Sequence, residues 1–233
     1  MHVPTAWPPA TDHCATGSTC LDTGLPLFSY RPIFRTDGGK RVVAVEALLR
    51  WQVPDGQSIS PEEFIPLAER TGLIFEIGGW VIDQVCAQLA LWREAGMTAL
   101  PVALNLSPRQ FENPELLITQ LNNAMQRHQV PSSQLTLEIT ESSLMQQGDS
   151  ARDLLQSLRA TGLHIALDDF GTDYSSLSYL RDLRLDVLKI DRSFIAKLDA
   201  TQSDRDLVKA IISLAEIFDL TVVAEVFAYD LME

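Results

Sequence analysis

From residue 101 onward, short apolar runs alternate regularly with amphipathic ones. The β-like runs fall near 101–106, 135–139, 164–168, 186–190 and 221–225. Helical patterns fall near 108–128, 149–161, 174–183 and 203–218. Strands and helices in alternation pack as a parallel sheet covered by helices. Runs such as Val102-Ala103-Leu104 and His164-Ile165-Ala166-Leu167 are apolar on both faces, as parallel strands buried on both sides should be. Upstream, 27–34 and 41–51 read as strands joined by a turn at Asp37-Gly38-Gly39. Ser60-Pro61-Glu62-Glu63 opens a helix with Ser60 as N-cap and Pro61 in its first turn. A longer helix over 75–95 is closed by Gly96. Seven strands, most followed by a helix, predict an α/β fold: a TIM-like (β/α) barrel one strand short. The alternative is an open doubly wound sheet, which is disfavoured because no Gly-rich phosphate loop follows the first strand.

Residues 1–24 are rich in Pro, Thr, Gly and Ser without a period and read as a flexible tail. That leaves 25–233 as the domain. Its partners are bounded by a net charge of −13, which argues against non-specific DNA or RNA binding, since that needs a basic surface. A small anionic ligand is compatible with this charge if a divalent cation reverses the local sign at a carboxylate cluster. Cys14, Cys20 and Cys86 make no disulfide framework, and His13 beside Cys14 has no second pair to complete a zinc site. The start lacks the charged and apolar regions of a signal peptide. The most apolar stretch, 73–92, is interrupted by Glu76 and Asp83 and reads as a buried helix, with no membrane segment. The expectation is a soluble cytoplasmic domain.

Polar residues at strand ends carry the chemistry, because reacting groups of such barrels sit at the C-terminal ends of strands. In the second strand Glu46, Leu48 and Arg50 share one face. A carboxylate and an arginine there suit a metal ligand beside a phosphate clamp; the plainer reading is an interior salt bridge. Asn105 ends the third strand and could equally cap a helix. Glu138 and Glu141 end the fourth, where acids also suit a helix start. Asp168 and Asp169 end the fifth. Adjacent carboxylates behind an apolar run repel and lose solvation unless a cation joins them. Lys189 and Asp191 end the sixth, and Glu225 the seventh. Lys189 could position or deprotonate a water, or simply lie at the surface. Each sign is weak alone; together they close six consecutive strands. The set is rich in oxygen ligands and lacks a suitably placed Cys or His, which favours two Mg²⁺ or Mn²⁺ ions over Zn²⁺. Two such ions serve phosphoester hydrolysis.

The same residues resemble the EAL domain family. Glu46-Ala47-Leu48-Leu49-Arg50-Trp51 matches the motif that names it. Phe64-Ile65-Pro66-Leu67-Ala68-Glu69-Arg70-Thr71-Gly72, Asn105-Leu106-Ser107 with Gln110-Phe111, and Glu138-Ile139-Thr140-Glu141 are similar to its next blocks. Asp168-Asp169-Phe170-Gly171-Thr172 and Leu188-Lys189-Ile190-Asp191-Arg192 complete an ordered series over roughly 27–225. The resemblance implies a barrel that binds cyclic-di-GMP and cuts one phosphodiester to give linear pGpG. It implies one ion on Glu46, Asn105, Glu138 and Asp168, and a second on Asp168 and Asp169. Lys189 would hold the attacking water, and Glu225 would be an acid/base partner near the second metal. Arg50 would hold a substrate phosphate, Arg31 and Asp191 are further substrate-contact candidates, and Glu141 would anchor the loop that begins at Asp168.

The chain departs from the family in four places. Arg31 stands where glutamine is usual before Pro32. Asp173 replaces a glycine in the loop after Asp168, a loop that in the family supports pairing of subunits. The helix that usually precedes the first strand is replaced by the tail. After Glu225 the sequence reads Val226-Phe227-Ala228 and ends at Glu233, without the family's second glutamate, eighth strand and last helix. Open barrel edges recruit other strands, so a homodimer through that loop or those edges is expected. The retained acids and Lys189 favour an active phosphodiesterase. Asp173 and the short end favour a cyclic-di-GMP receptor, or a scaffold that has lost the ligand.

Overall fold

The computed structural model describes residues 26–36, 41–53, 57–97, 100–171 and 183–226. The chain divides into two compact units, Met1–Leu135 and Thr136–Glu233.

In the first unit β1 (Pro26–Phe34) runs antiparallel to β2 (Val42–Gln52), with Arg31 across from Glu46 and Leu27 across from Arg50. The end of β2 also pairs with a two-residue strand, β3 (Ser58–Ile59), and its middle pairs in parallel with β4 (Val102–Asn105). The sequence pattern gave no sign of β3. Helix α1 (Pro61–Thr71) starts where expected: Ser60 accepts from the Glu62 amide, and Pro61 needs no partner for an amide hydrogen it lacks. It stops at Gly72, whose φ of 79° is left-handed.

Helix α2 (Ile74–Glu94) is long and apolar enough to cross a bilayer by length and composition. Instead it buries Ile74, Ile77, Ile82, Val85, Cys86 and Leu89. Fully burying an aliphatic side chain of this kind contributes about 1.5–3 kcal/mol. Another side of α2 meets β1 through aromatic rings, Phe28 stacked on Trp80 at 5.5 Å and Tyr30 edge-on to Trp92 at 5.0 Å. Burial pushes the Tyr30 phenol up, and burial with the Asp83 charge pushes the Cys86 thiol up to about 12. Asp83 ties α2 to α3 (Pro114–His128), accepting from Arg127 at 2.7 Å and bonding His128 at 3.1 Å. The close approach needs Gly79, where a Cβ would fall 2.4 Å from Gln120 Nε2. The single helix expected over 108–128 is broken. A short 3-10 turn (Pro108–Glu112) ends at Asn113, which caps α3 by accepting from the Leu116 amide. Pro114 disfavours helical backbone at the residue before it.

In the second unit β5 (Leu135–Thr140, within this unit from Thr136), β6 (His164–Phe170), β7 (Val187–Ile190) and β8 (Thr221–Ala224) pair in parallel, each with the next. Helix α4 (Glu141–Ala160) is two helical segments meeting at Gly148, whose φ of 52° and ψ of −123° are not helical; the second starts where the periodicity placed it, and the first is an addition. Thr140 caps the first segment. A single turn, α5 (Arg192–Ile195), and helix α6 (Gln202–Ile217) complete the described elements. The core holds Leu137, Ile139, Ile165, Leu167, Leu188 and Ile190, all at most 2 % exposed. Both faces of these strands are covered, as parallel pairing demands. The tail with Cys14 and Cys20, the turn at 37–39, Asp173 and all but the last residue of the helix expected at 174–183 lie outside the described residues.

Candidate functional site

In the second unit four parallel strands bring their C-terminal ends to one edge, and each end supplies an ionisable group. Glu138 lies near the end of β5, Asp168 and Asp169 near the end of β6, Lys189 in β7, and Glu225 directly after β8. The Glu225 amide continues the ladder by donating to Ile190 O at 3.1 Å. Lys189 is not at the surface: its side chain is 3 % exposed. Its Nζ lies 2.9 Å from Glu138 Oε2, 2.9 Å from Asp168 Oδ2 and 3.1 Å from Glu225 Oε1. An ammonium has three donors, and each can be matched to one of these carboxylates. A lysine is rarely buried without such partners.

Neighbouring residues on a strand face opposite ways, so Asp168 and Asp169 should diverge. They do not, because the β6–β7 pairing slips there. Leu167 pairs with Leu188 and Phe170 with Ile190, which leaves Asp168 and Asp169 across from Lys189 alone. This is a β-bulge, a device that re-aims a side chain. Asp169 takes up the extra residue with a left-handed φ of 55°, which aspartate tolerates better than most residues. Its amide donates to Asp168 Oδ1 at 2.9 Å. As a result, oxygens of Asp168, Asp169 and Glu225 all lie within 4.8 Å of one another. Burial, then the charges of Asp168, Glu225 and Asp191, raise the Asp169 carboxyl to about 6, against a lowering by Lys189.

Two residues flank this cluster. Glu141 opens α4, is buried, and its Oε2 accepts from the Gly171 amide at 3.3 Å. Gly171 has a φ of 95°, and a Cβ there would lie 2.9 Å from Phe194 Cζ. Asp191 caps α5 by accepting from the Ser193 amide at 2.9 Å. Burial pushes its carboxyl up, but bonds from Ser193 and Arg192 outweigh that and hold it below the usual carboxylate range.

The first unit gathers a smaller set. Glu46 is buried in the middle of β2, and its Oε1 accepts from Asn105 Nδ2 at 3.0 Å, which leaves Asn105 Oδ1 as the oxygen that could hold a cation. Glu46 Oε2 pairs with Arg31 Nη1 at 3.2 Å. Sequence reasoning placed Arg31 near the ligand and missed this pairing; the hairpin register would have shown it. Arg50, half-buried on the same face of β2, donates from Nη1 to Leu49 O at 3.0 Å. Ser107, two residues beyond Asn105, caps the 3-10 turn and bonds Glu69 at 2.6 Å.

The donor set suits a hard divalent ion: it offers carboxylate and amide oxygens, and neither sulfur nor imidazole. The Asp168, Asp169 and Glu225 oxygens are near enough for one ion to bridge, and their mutual repulsion is what a cation relieves. The residues therefore fit Mg²⁺ or Mn²⁺.

Residues 21–227 match the family model described as EAL domain. The chain belongs to the EAL domain family. It is 44 % identical over 199 residues to the bifunctional diguanylate cyclase/cyclic di-GMP phosphodiesterase MucR of Pseudomonas aeruginosa, covering 85 % of this chain and 29 % of that protein. It is 37 % identical over 205 residues to the cyclic di-GMP phosphodiesterase PdeR of Escherichia coli, covering 88 % and 30 %. The chain thus spans about a third or less of the length of these curated relatives. Among solved structures it is similar to the PaMucR phosphodiesterase in complex with c-di-GMP, with a TM-score of 0.80 and 42 % identity, covering 87 % of this chain and 81 % of that one. With the EAL family comes its fold class, the TIM-like (β/α) barrel. Among the described residues the last strand is Thr221–Ala224.

Proposed function

We propose that this EAL domain hydrolyses cyclic-di-GMP to linear pGpG with two divalent ions, Mg²⁺ or Mn²⁺, in the cytoplasm. The observation that carries the proposal is the bulged Asp168-Asp169 pair converging with Glu225 beside a buried Lys189. Relatives named as cyclic di-GMP phosphodiesterases supply the substrate.

In the reaction a water oxygen bonds to one phosphorus and the bond from that phosphorus to a 3′ oxygen breaks, leaving a 5′-phosphate and a 3′-hydroxyl. Bound divalent ions supply Lewis-acid chemistry, acidifying water and stabilising charge on phosphate and leaving oxygens. Asp168, Asp169 and Glu138 hold the ions, and Glu46 and Asn105 act as further ligands. Lys189 orients the attacking water. For that, one of its carboxylate contacts must be exchanged, and the Glu225 contact suits the exchange, being the longest and to the most exposed partner. Glu225 is then placed to accept a proton. Arg50 contributes a guanidinium to a substrate phosphate, with Arg31 and Asp191 as further contact candidates. Glu141 holds the start of the loop after Asp168 through the Gly171 amide.

The test is turnover of cyclic-di-GMP by the purified chain with Mn²⁺ or Mg²⁺, against an EDTA control, read by chromatography. Metal-dependent pGpG is expected. Calorimetric binding without product would make the chain a receptor, and absence of both would overturn the proposal.

A further inference from the structure

The contact between Arg31 and Glu46 has no part in the chemistry above. Arg31 is the direct cross-strand partner of Glu46 in the β1–β2 ladder. Its Nη1 lies 3.2 Å from Glu46 Oε2, while Oε1 is held by Asn105 at 3.0 Å. The Glu46 side chain is 6 % exposed and that of Arg31 is 52 % exposed. A guanidinium stays charged at any pH a protein survives. The negative charge that Glu46 would offer to a metal is therefore already shared with a fixed cation. The obstacle is charge and not occupancy, since each carboxylate oxygen has a lone pair beyond the one its donor takes. Two cations on one buried carboxylate repel each other strongly where water is scarce. The exposed half of Arg31 gives it room to turn toward solvent when an ion arrives.

We propose that Arg31 is a resident counter-cation at Glu46 that sets the divalent-ion affinity of this chain, making it weaker than the oxygen donors alone would give. Arg31 acts through Glu46 as a positioning residue. The inference rests on the reading of Glu46 as a metal ligand.

The test is calorimetric titration of Mn²⁺ into the full chain, with R31Q, R31K and E46Q beside the unaltered protein and metal-free melting curves to check folding. E46Q is expected to lose or weaken one binding event. R31Q should tighten that event about tenfold, the effect of removing one nearby unit charge. R31K keeps the charge and should stay within about threefold of the parent, a rescue that a purely structural role for Arg31 would not produce. If E46Q loses the event and R31Q fails to tighten it, the role of Arg31 is wrong while Glu46 stands as a ligand. If E46Q binds Mn²⁺ like the parent, Glu46 is no ligand and both readings fall.

Discussion

Glu46 and Asp168 are both buried carboxylates on neighbours of parallel strands, yet their surroundings differ in charge. Glu46 has a guanidinium and an amide on its two oxygens, so its charge is met within the first unit. Around Asp168 the second unit places Glu138, Asp169 and Glu225, four carboxylates with it, against the one ammonium of Lys189. The first arrangement is stable as it stands. The second carries an excess of negative charge that raises the Asp169 carboxyl and calls for a further cation. Two carboxylates at comparable burial thus sit in opposite balances of charge, and that balance decides how strongly each calls for a metal.

The contrast is broken most directly at Lys189. Removing one partner of a buried ion pair costs about 3–5 kcal/mol. Lys189→Met should lose that much in metal-free urea unfolding and regain most of it with Mn²⁺. By contrast, Arg31→Gln, a half-exposed partner, should change metal-free stability by about 1 kcal/mol or less. Equal losses in the two variants would dissolve the distinction. Asp168→Asn should lower turnover at least about a hundredfold, because a metal's Lewis acidity contributes several kcal/mol. Near-normal pGpG formation by that variant would remove Asp168 from the ligand set.

Acidity sharpens the comparison next. The Asp169 carboxyl lies at about 6 in the folded chain against an ordinary 3.8. Between those values the folded state holds more protons than the unfolded one, so its contribution to stability falls as pH rises through that window. A metal ion must displace the same proton, so Mn²⁺ affinity should weaken below pH about 6, by up to about tenfold per unit. In Asp169→Asn this part of the pH dependence should vanish from calorimetric titrations. Gly171→Ala should cost about 1–2 kcal/mol by thermal melting, because the left-handed backbone and the Phe194 ring both oppose a Cβ. The smallest effect is expected at Asp83→Asn. Losing its partly exposed links to Arg127 and His128 should cost about 1 kcal/mol and leave turnover within about twofold.

Much of this was legible in the sequence because the signals are local. Periods of two and 3.6 residues located the strands of both units to within a few residues, and Ser60-Pro61 fixed the start of α1. Periodicity misled where a local breaker competed with it. Asn113-Pro114 split one helical pattern into a 3-10 turn and α3, and the short helical segment before Gly148, capped by Thr140, carried no pattern of its own. The two-residue β3 was too short to have a period.

By itself the sequence determined which groups lie on or directly after which strands: Glu46, Asn105, Glu138, Asp168, Asp169, Lys189 and Glu225 can be named from position alone. Only the tertiary structure decided how they face one another. Lys189 reaches Glu138 across 51 residues and Asp168 across 21, contacts that no local pattern encodes. Alternation along β6 would have sent Asp168 and Asp169 apart, and a slipped register with left-handed Asp169 overrode it. Arg31 meets Glu46 because of hairpin register, a property of the strand pair and not of either strand. Side-chain direction follows from pairing, and pairing is settled only when the whole sheet has formed.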